Sequence, residues 1–225
     1  VNLWMNEMGK DKTIELCAWF NEQPRLTARI NTIKVSIEYC LKELQDLGWT
    51  VEQDTYIPEV VYIDGHQGHL EKAKPVIDGH ITFMDKASML VAHVVDPQPG
   101  ERILDCCAAP GGKSMHMASL MNNTGAIMSC DIYDHKLDLM NHNAQRLGVS
   151  IVSTKLQDGR YLPDNWKEQF DRVLVDAPCS GLGILQKKLD MRWRKTESLL
   201  TELPPLQLEI LEKAAEMVKV NGYLV

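Results

Sequence analysis

From residue 102 to the end of the chain, short apolar runs alternate with helical patterns, and that alternation leaves few folds open. The runs at 102–105, 126–132, 151–157, 172–176 and from 223 onward read as strands, while 114–121, 135–147 and 206–218 carry the spacing of amphipathic helices. Strand followed by helix followed by strand implies a parallel sheet covered on both faces, because neighbouring parallel strands need a crossover. In an open sheet of this kind ligands bind beyond the carboxyl ends of the strands. The residues just after each run are therefore where chemistry is expected.

Two of those places hold reactive groups. Asp105-Cys106-Cys107-Ala108-Ala109-Pro110-Gly111-Gly112-Lys113-Ser114 is entered through Arg102-Ile103-Leu104, and Asp176-Ala177-Pro178-Cys179-Ser180-Gly181 through Val173-Leu174-Val175. Gly111 and Gly112 allow close approach of backbone to a ligand, Pro110 stiffens the turn, and a helix beginning near Ser114 offers free N–H groups. The spacing matches neither the ATP-type nor the dinucleotide-type glycine motif. Asp131 ends the next strand 19 residues after Gly112, where a carboxylate accepts hydrogen bonds from both hydroxyls of a ribose. Asp158, in Gln157-Asp158-Gly159-Arg160, adds a third acid on the same edge. An adenosine-containing cofactor is expected.

Upstream, a helix over 13–21, a strand over 27–33 and an amphipathic helix over 36–48 suggest a small α+β appendage, and Pro97-Gln98-Pro99-Gly100 ends a short helix over 88–95. The expected division is an appendage at 1–78 and a cofactor-binding domain at 79–225. No apolar run approaches the roughly 18 residues of a membrane span, and the first residues lack a signal pattern, so a soluble cytoplasmic monomer is expected. Six cysteines with no C-x-x-C pair fit neither a disulfide scaffold nor a zinc module. The seven histidines show no ligand spacing, and no metal is expected. The net charge of -7 requires that any polyanion be held by a local basic patch.

The motifs at 105–114, Asp131, Asp158-Gly159-Arg160 and Asp176-Ala177-Pro178-Cys179-Ser180-Gly181-Leu182-Gly183 resemble, in order, those of the Nop/Sun family of RNA cytosine-C5 methyltransferases, most closely its bacterial Sun/RsmB branch. The likeness runs from about Pro24 to Val225. It implies S-adenosyl-L-methionine on a Rossmann-like α/β sheet, with a small N-terminal α+β RNA-binding appendage. Cofactor contacts then fall on Cys107, Ala108, Ala109, Pro110, Gly111, Gly112 and Lys113, on Asp131 for the ribose, Asp158 for the adenine side, and Asp176. It further implies that the sheet continues past Val225, that this stretch is part of a longer protein, and that a helical RNA-binding domain precedes it.

The pairing of Asp176 with Cys179 has a chemical logic. Cytosine C5 is a poor nucleophile, but a thiolate adding at C6 turns the ring into an enamine able to take a methyl group. A carboxyl at the N3 edge stabilises the charge that builds on the ring, which is the role expected of Asp176. Read from the residues alone, Cys179 is the nucleophile. The resemblance instead implies attack by a cysteine of a Ser-Thr-Cys segment after the strand that begins at 222–225, with Cys179 assisting product release.

For RNA, Gln186-Lys187-Lys188-Leu189-Asp190-Met191-Arg192-Trp193-Arg194-Lys195 sets five basic residues against one acidic, with a tryptophan for stacking. Lys187, Lys188 and Arg192 are the expected contacts. The family's Arg-Arg-x-Pro-Asp-Ile is replaced here by Gln186-Lys187-Lys188-Leu189-Asp190-Met191. Arg29, Asn31 and Lys34 match the family's RNA-contacting appendage. The expected function is methyl transfer to C5 of a cytosine in RNA, small-subunit rRNA being the expected substrate. The alternatives are a catalytically inactive cofactor- and RNA-binding module, and a small-molecule methyltransferase with no use for the basic loop.

Overall fold

The computed structural model describes residues 1–66 and 68–225. Contacts divide the chain into two compact units, residues 26–178 with 206–225 and residues 1–25 with 179–205.

The larger unit contains two sheets. The first is antiparallel, order β2-β3-β1-β4, from β1 (Leu26–Ile30), β2 (Thr50–Gln53), β3 (Val60–Gly65) and β4 (Ile81–Phe83). Helix α3 (Ile37–Asp46), N-capped by Ser36, lays Cys40 and Leu44 one turn apart against Ala28, Ile30, Val61 and Ile81. With Ala28 and Ile30 on that face, the two-residue period of β1 sends Thr27 and Arg29 to the other. All four residues are buried. The short helix α4 (Lys74–Ile77) leads into β4. Because β4 pairs with β1, the appendage runs on to Phe83 and the expected boundary at 78 cuts through it. Three residues are too few to show a period, so β4 left no pattern to read.

The second sheet is fully parallel, order β7-β6-β5-β8-β9, from β5 (Arg102–Asp105), β6 (Ala126–Asp131), β7 (Val152–Leu156), β8 (Phe170–Leu174) and β9 (Val218–Leu224). Side-chain alternation splits its core into two layers. Ile103, Ile127 and Leu174 pack with residues of α5 (Lys86–Val95), α6 (Gly112–Leu120) and α7 (Asp134–Leu147), whereas Leu104, Cys130 and Val173 pack with Ile210 and Ala214 of α9 (Leu199–Ala215). The chain winds from β5 through β6 to β7, then returns to the other side of β5 with β8. That reversal makes the carboxyl ends of β5 and β8 a topological switch point. This is the Rossmann-like sheet that the family resemblance implied.

Two boundaries differ from expectation. Helix α9 starts at Leu199, with Pro204 and Pro205 inside it. Strand β9 starts at Val218, and its pairing with β8 shifts register before Tyr223, where Asn221 adopts a left-handed φ of 66°. Gly222 lies in this irregular stretch of the strand.

The smaller unit holds α1 (Asn2–Met8), α2 (Lys10–Asn21), the one-turn α8 (Met191–Arg194) and the first residues of α9. Trp4 stacks on Phe20 at 5.5 Å between ring centres. Among the described residues no helix is long and apolar enough to cross a membrane.

Candidate cofactor and base-activation site

The parallel sheet brings four of the sequence-predicted acids to one edge. Asp105 ends β5, Asp131 ends β6, Asp158 follows β7 and Asp176 follows β8. All four act electrostatically on the thiol of Cys107, which lies in the loop after β5. Burial and these carboxylates push that thiol up to about 12, and burial pushes Cys130 to about 12 and Cys106 well above its ordinary range. These three cysteines stay protonated and unreactive at neutral pH. Cys179 is the exposed one of the six.

The loop 106–111 forms a cradle held from beneath. Gly111 takes a left-handed φ of 96° at the start of α6, and a Cβ there would press on Met140 Cγ at 3.0 Å, so a side chain is disfavoured twice over. Ala108 packs on Leu137 and Met140 of α7. The Asp131 carboxylate accepts from the N–H of Ala109 (3.2 Å) and of Tyr133 (3.0 Å), one per oxygen. It thereby ties the end of β6 to the cradle and keeps a further lone pair on each oxygen. Asp158 is engaged by Arg160, whose guanidinium and backbone N–H bonds hold the carboxyl below its ordinary range.

Behind the cradle, Asp105 is fully buried. Burial raises its carboxyl to about 6; the hydrogen bond from Ser114 Oγ (2.7 Å) opposes the shift and nearby Asp176 adds to it. Ser129 Oγ donates in turn to Ser114 Oγ at 2.9 Å. Lys113, in the first turn of α6, reaches across the switch point to Asp176 with Nζ 2.5 Å from Oδ2. The Asp176 side chain is 47% exposed, so one face of the pair remains open to solvent. Lys113, predicted as a cofactor contact, is thus committed to Asp176. The role of Asp105 and the Lys113–Asp176 pairing were not visible in sequence, since residues 63 positions apart carry no sign of contact.

A family model described as 16S rRNA methyltransferase RsmB/F matches residues 92–225, and one described as the ferredoxin-like domain of RsmF/B-like methyltransferases matches residues 1–68. The chain belongs to the RsmB/F family. Among curated RsmB relatives, the probable ribosomal RNA small subunit methyltransferase B of Bacillus subtilis strain 168 is 36% identical over 226 residues, covering 100% of this chain and 50% of that protein. The chain spans about half the length of the curated relatives it matches. A methyltransferase homologue from Pyrococcus horikoshii is similar at 28% identity and a TM-score of 0.85, over 96% of this chain and 68% of its own. NSun6 from the same organism, solved with SFG, shares the fold at 22% identity and a TM-score of 0.90, over 99% of this chain and 80% of its own.

Within this family framework, three expected RNA contacts turn out to sit in or at a seam. Arg29 and Asn31 are fully buried. Asn31 Nδ2 donates to the carbonyls of Leu147 and Gly79, both at 2.8 Å, and Lys34 Nζ donates to those of Arg146 (2.6 Å) and Asp78 (2.8 Å). Leu147 and Arg146 close α7, whose last carbonyls have no partner within the helix. Asn31 and Lys34 therefore cap α7 and fasten the small sheet to the parallel one. Arg29 lies in the same seam with its guanidinium nitrogens lacking hydrogen-bond partners among the described residues, and burial lowers it to about 10 while Glu59 opposes the shift. Glu59 Oε1 also receives His93 Nε2 (2.6 Å) and His116 Nε2 (2.8 Å), a cluster of possible metal-ligand type that histidine spacing did not reveal. Its three members come from the turn before β3, from α5 and from α6. Burial opposes ionisation of Glu59, but bonds from His116 and His93 hold it near 2, while burial lowers His116 to about 4.

The basic loop is also corrected in part. In the smaller unit the Arg192 guanidinium is spent on Phe20 O, Asn21 Oδ1 and Leu185 O, where it closes the carboxyl end of α2. Lys187 is partly desolvated, which lowers its ammonium from the ordinary value. Lys188 and Lys195 are exposed or half-buried at the surface of this unit.

Proposed function

We propose that this protein moves a methyl group from S-adenosyl-L-methionine to C5 of a cytosine in RNA, with small-subunit rRNA as the substrate. The observation that supports it most is the half-open Lys113–Asp176 pair at the switch point, ringed by Asp105, Asp131 and Asp158. The residues fit the cofactor. A side-chain-free cradle at Gly111, unspent lone pairs on Asp131 and the acid after β7 are what an adenosine with a free ribose edge requires. When bound there, S-adenosylmethionine supplies an electrophilic methyl group. The RsmB/F membership supports the same cofactor, as does NSun6, solved with the S-adenosylmethionine analogue SFG.

The chain's own groups have distinct tasks. Asp176 meets the N3 edge of cytosine and stabilises charge on the ring, and Lys113 fixes the carboxyl that does so. The neutral thiols of Cys106, Cys107 and Cys130 do not compete for the ring. Cys179, three residues after Asp176 and exposed, is available for addition at C6 or, as the family resemblance implies, for assisting release after another cysteine has attacked. After methylation a base takes the C5 proton, the electron pair of that C–H bond restores the C5–C6 double bond, and the C6–S bond breaks to release the thiolate.

The test uses the natural full-length protein with radiolabelled cofactor and small-subunit rRNA, digested to nucleosides. Label in 5-methylcytidine is expected; label confined to another nucleoside overturns the assignment. Cys179→Ala divides the two thiol roles. A denaturant-resistant protein–RNA band is expected if Cys179 assists release, and free protein with no product shows that Cys179 is the nucleophile.

A further inference from the structure

The smaller unit bears an open cleft of about 620 Å³. Trp4, Phe20, Leu185 and Met191 line it, and Arg192, Trp193 and Lys195 lie along its wall. The volume is that of a small-ligand site. Trp193 is 89% exposed, more than any other large apolar side chain of the chain, and among the described residues no ring or cation covers its indole. An indole this open is an unused stacking surface. Met191 reaches Gly181 from the same turn, so a Cβ at Gly181 would be 2.6 Å from Met191 Cε. Arg192 is pinned by its three hydrogen bonds to α2 and Leu185. The turn that presents Trp193 is therefore tied down on both sides.

The charge around the ring selects the occupant. Arg194 and Lys195 directly follow Trp193 and Lys188 precedes it within the loop, against Asp190 there and Glu197 on the cleft wall, in a chain whose net charge is -7. Arg194 Nη1 lies 3.7 Å from Asp190 Oδ2 with both side chains largely in solvent, an arrangement that phosphate readily displaces. An aromatic face beside an apolar recess, followed directly by Arg194 and Lys195, matches an unpaired nucleotide: the base stacks while the phosphates meet those two cations. An apolar peptide would leave the cations unused.

Taking the RNA substrate proposed above as given, we infer that Trp193 is a stacking platform for an unpaired base of that RNA, seated at the mouth of the Trp4–Phe20–Met191 cleft. The residue sets where single-stranded RNA is gripped and takes no part in methyl transfer itself.

Fluorescence anisotropy of a labelled single-stranded rRNA fragment on the protein tests this. Trp193→Ala should weaken RNA binding by roughly 5- to 150-fold, about 1–3 kcal/mol at 1.4 kcal/mol per tenfold, and Trp193→Phe should restore most of it. The slope of log affinity against log salt should be unchanged by Trp193→Ala and shallower for Arg194→Ala with Lys195→Ala. Cofactor affinity by calorimetry should be unaltered in every variant. If wild-type protein binds RNA and Trp193→Ala binds it equally well, the stacking role is overturned while the substrate assignment stands. If wild-type protein binds no RNA, both fall, and binding of an apolar peptide instead would reassign the cleft to a protein partner.

Discussion

Two clusters of charge in the larger unit look alike in composition and differ in what they leave open to solvent. At the carboxyl edge of the parallel sheet, Lys113 and Asp176 keep an open side, and Asp131 uses one lone pair per oxygen on the backbone and retains another. At the seam between the sheets, Arg29, Glu59 and His116 are almost wholly closed off, and Glu59 Oε1 is saturated by two histidines. Capacity left facing solvent marks a place for a ligand. Groups closed off from solvent in the interior, including the Arg29 guanidinium that has no hydrogen-bond partner among the described residues, mark a joint. The same distinction explains why Asn31 and Lys34, polar residues at a strand end, serve α7.

The largest effect should come from opening the joint. Glu59→Ala leaves Arg29 buried without its compensating carboxylate, and folding stability should fall by about 3–5 kcal/mol in urea titration. A loss below about 1 kcal/mol would place the guanidinium in solvent and remove the contrast between the clusters. Next, the two regions should respond to pH in opposite directions. Asp105, with its folded-state carboxyl raised to about 6, contributes stability that is present below its ordinary value of 3.8 and lost as pH rises through about 6. His116, lowered to about 4, contributes stability present above 6.5 and lost as pH falls through about 4, and Glu59 adds a loss toward pH 2. Asp105→Asn should therefore gain about 3 kcal/mol relative to the native protein between acid and neutral pH, while His116→Gln should flatten the decline on acidification. Equal pH slopes in native protein and both variants would show that neither group is buried as described.

In the crevice, Asp131→Ala should weaken S-adenosylmethionine by about 1.5–3 kcal/mol in calorimetry, since a charged acceptor of paired hydroxyls is lost. Unchanged affinity would remove the ribose from that carboxylate. The smallest effect should be at Lys34→Ala, about 1 kcal/mol of stability with RNA affinity intact, because two carbonyl bonds at the end of α7 disappear. The reverse pattern, intact stability with weaker RNA binding, would return Lys34 to the RNA surface.

The parallel sheet was legible because its signals are local. Apolar runs, their spacing and the Gly111-Gly112 turn lie within a few residues of one another, and strand ends follow from where each run stops. The antiparallel sheet was read only as an α+β appendage, since β2 and β4 are four and three residues long. Arg29, Asn31 and Lys34 were misjudged for a related reason: a polar residue at a strand end looks the same whether solvent or the terminus of α7, more than a hundred positions away, lies opposite.

Sequence by itself determined the doubly wound architecture, the acids at the ends of its strands and the glycine cradle, because each depends on periodicity or on backbone freedom within a short window. The tertiary structure decided which of those groups remain available. Pairing of Lys113 with Asp176, silencing of three thiols by burial and carboxylates, and use of Asn31 as a helix cap all arise from residues brought together by sheet order. Electrostatic and hydrogen-bonding roles depend on distance in space and on exclusion of water, and neither quantity is carried by the local pattern along a chain.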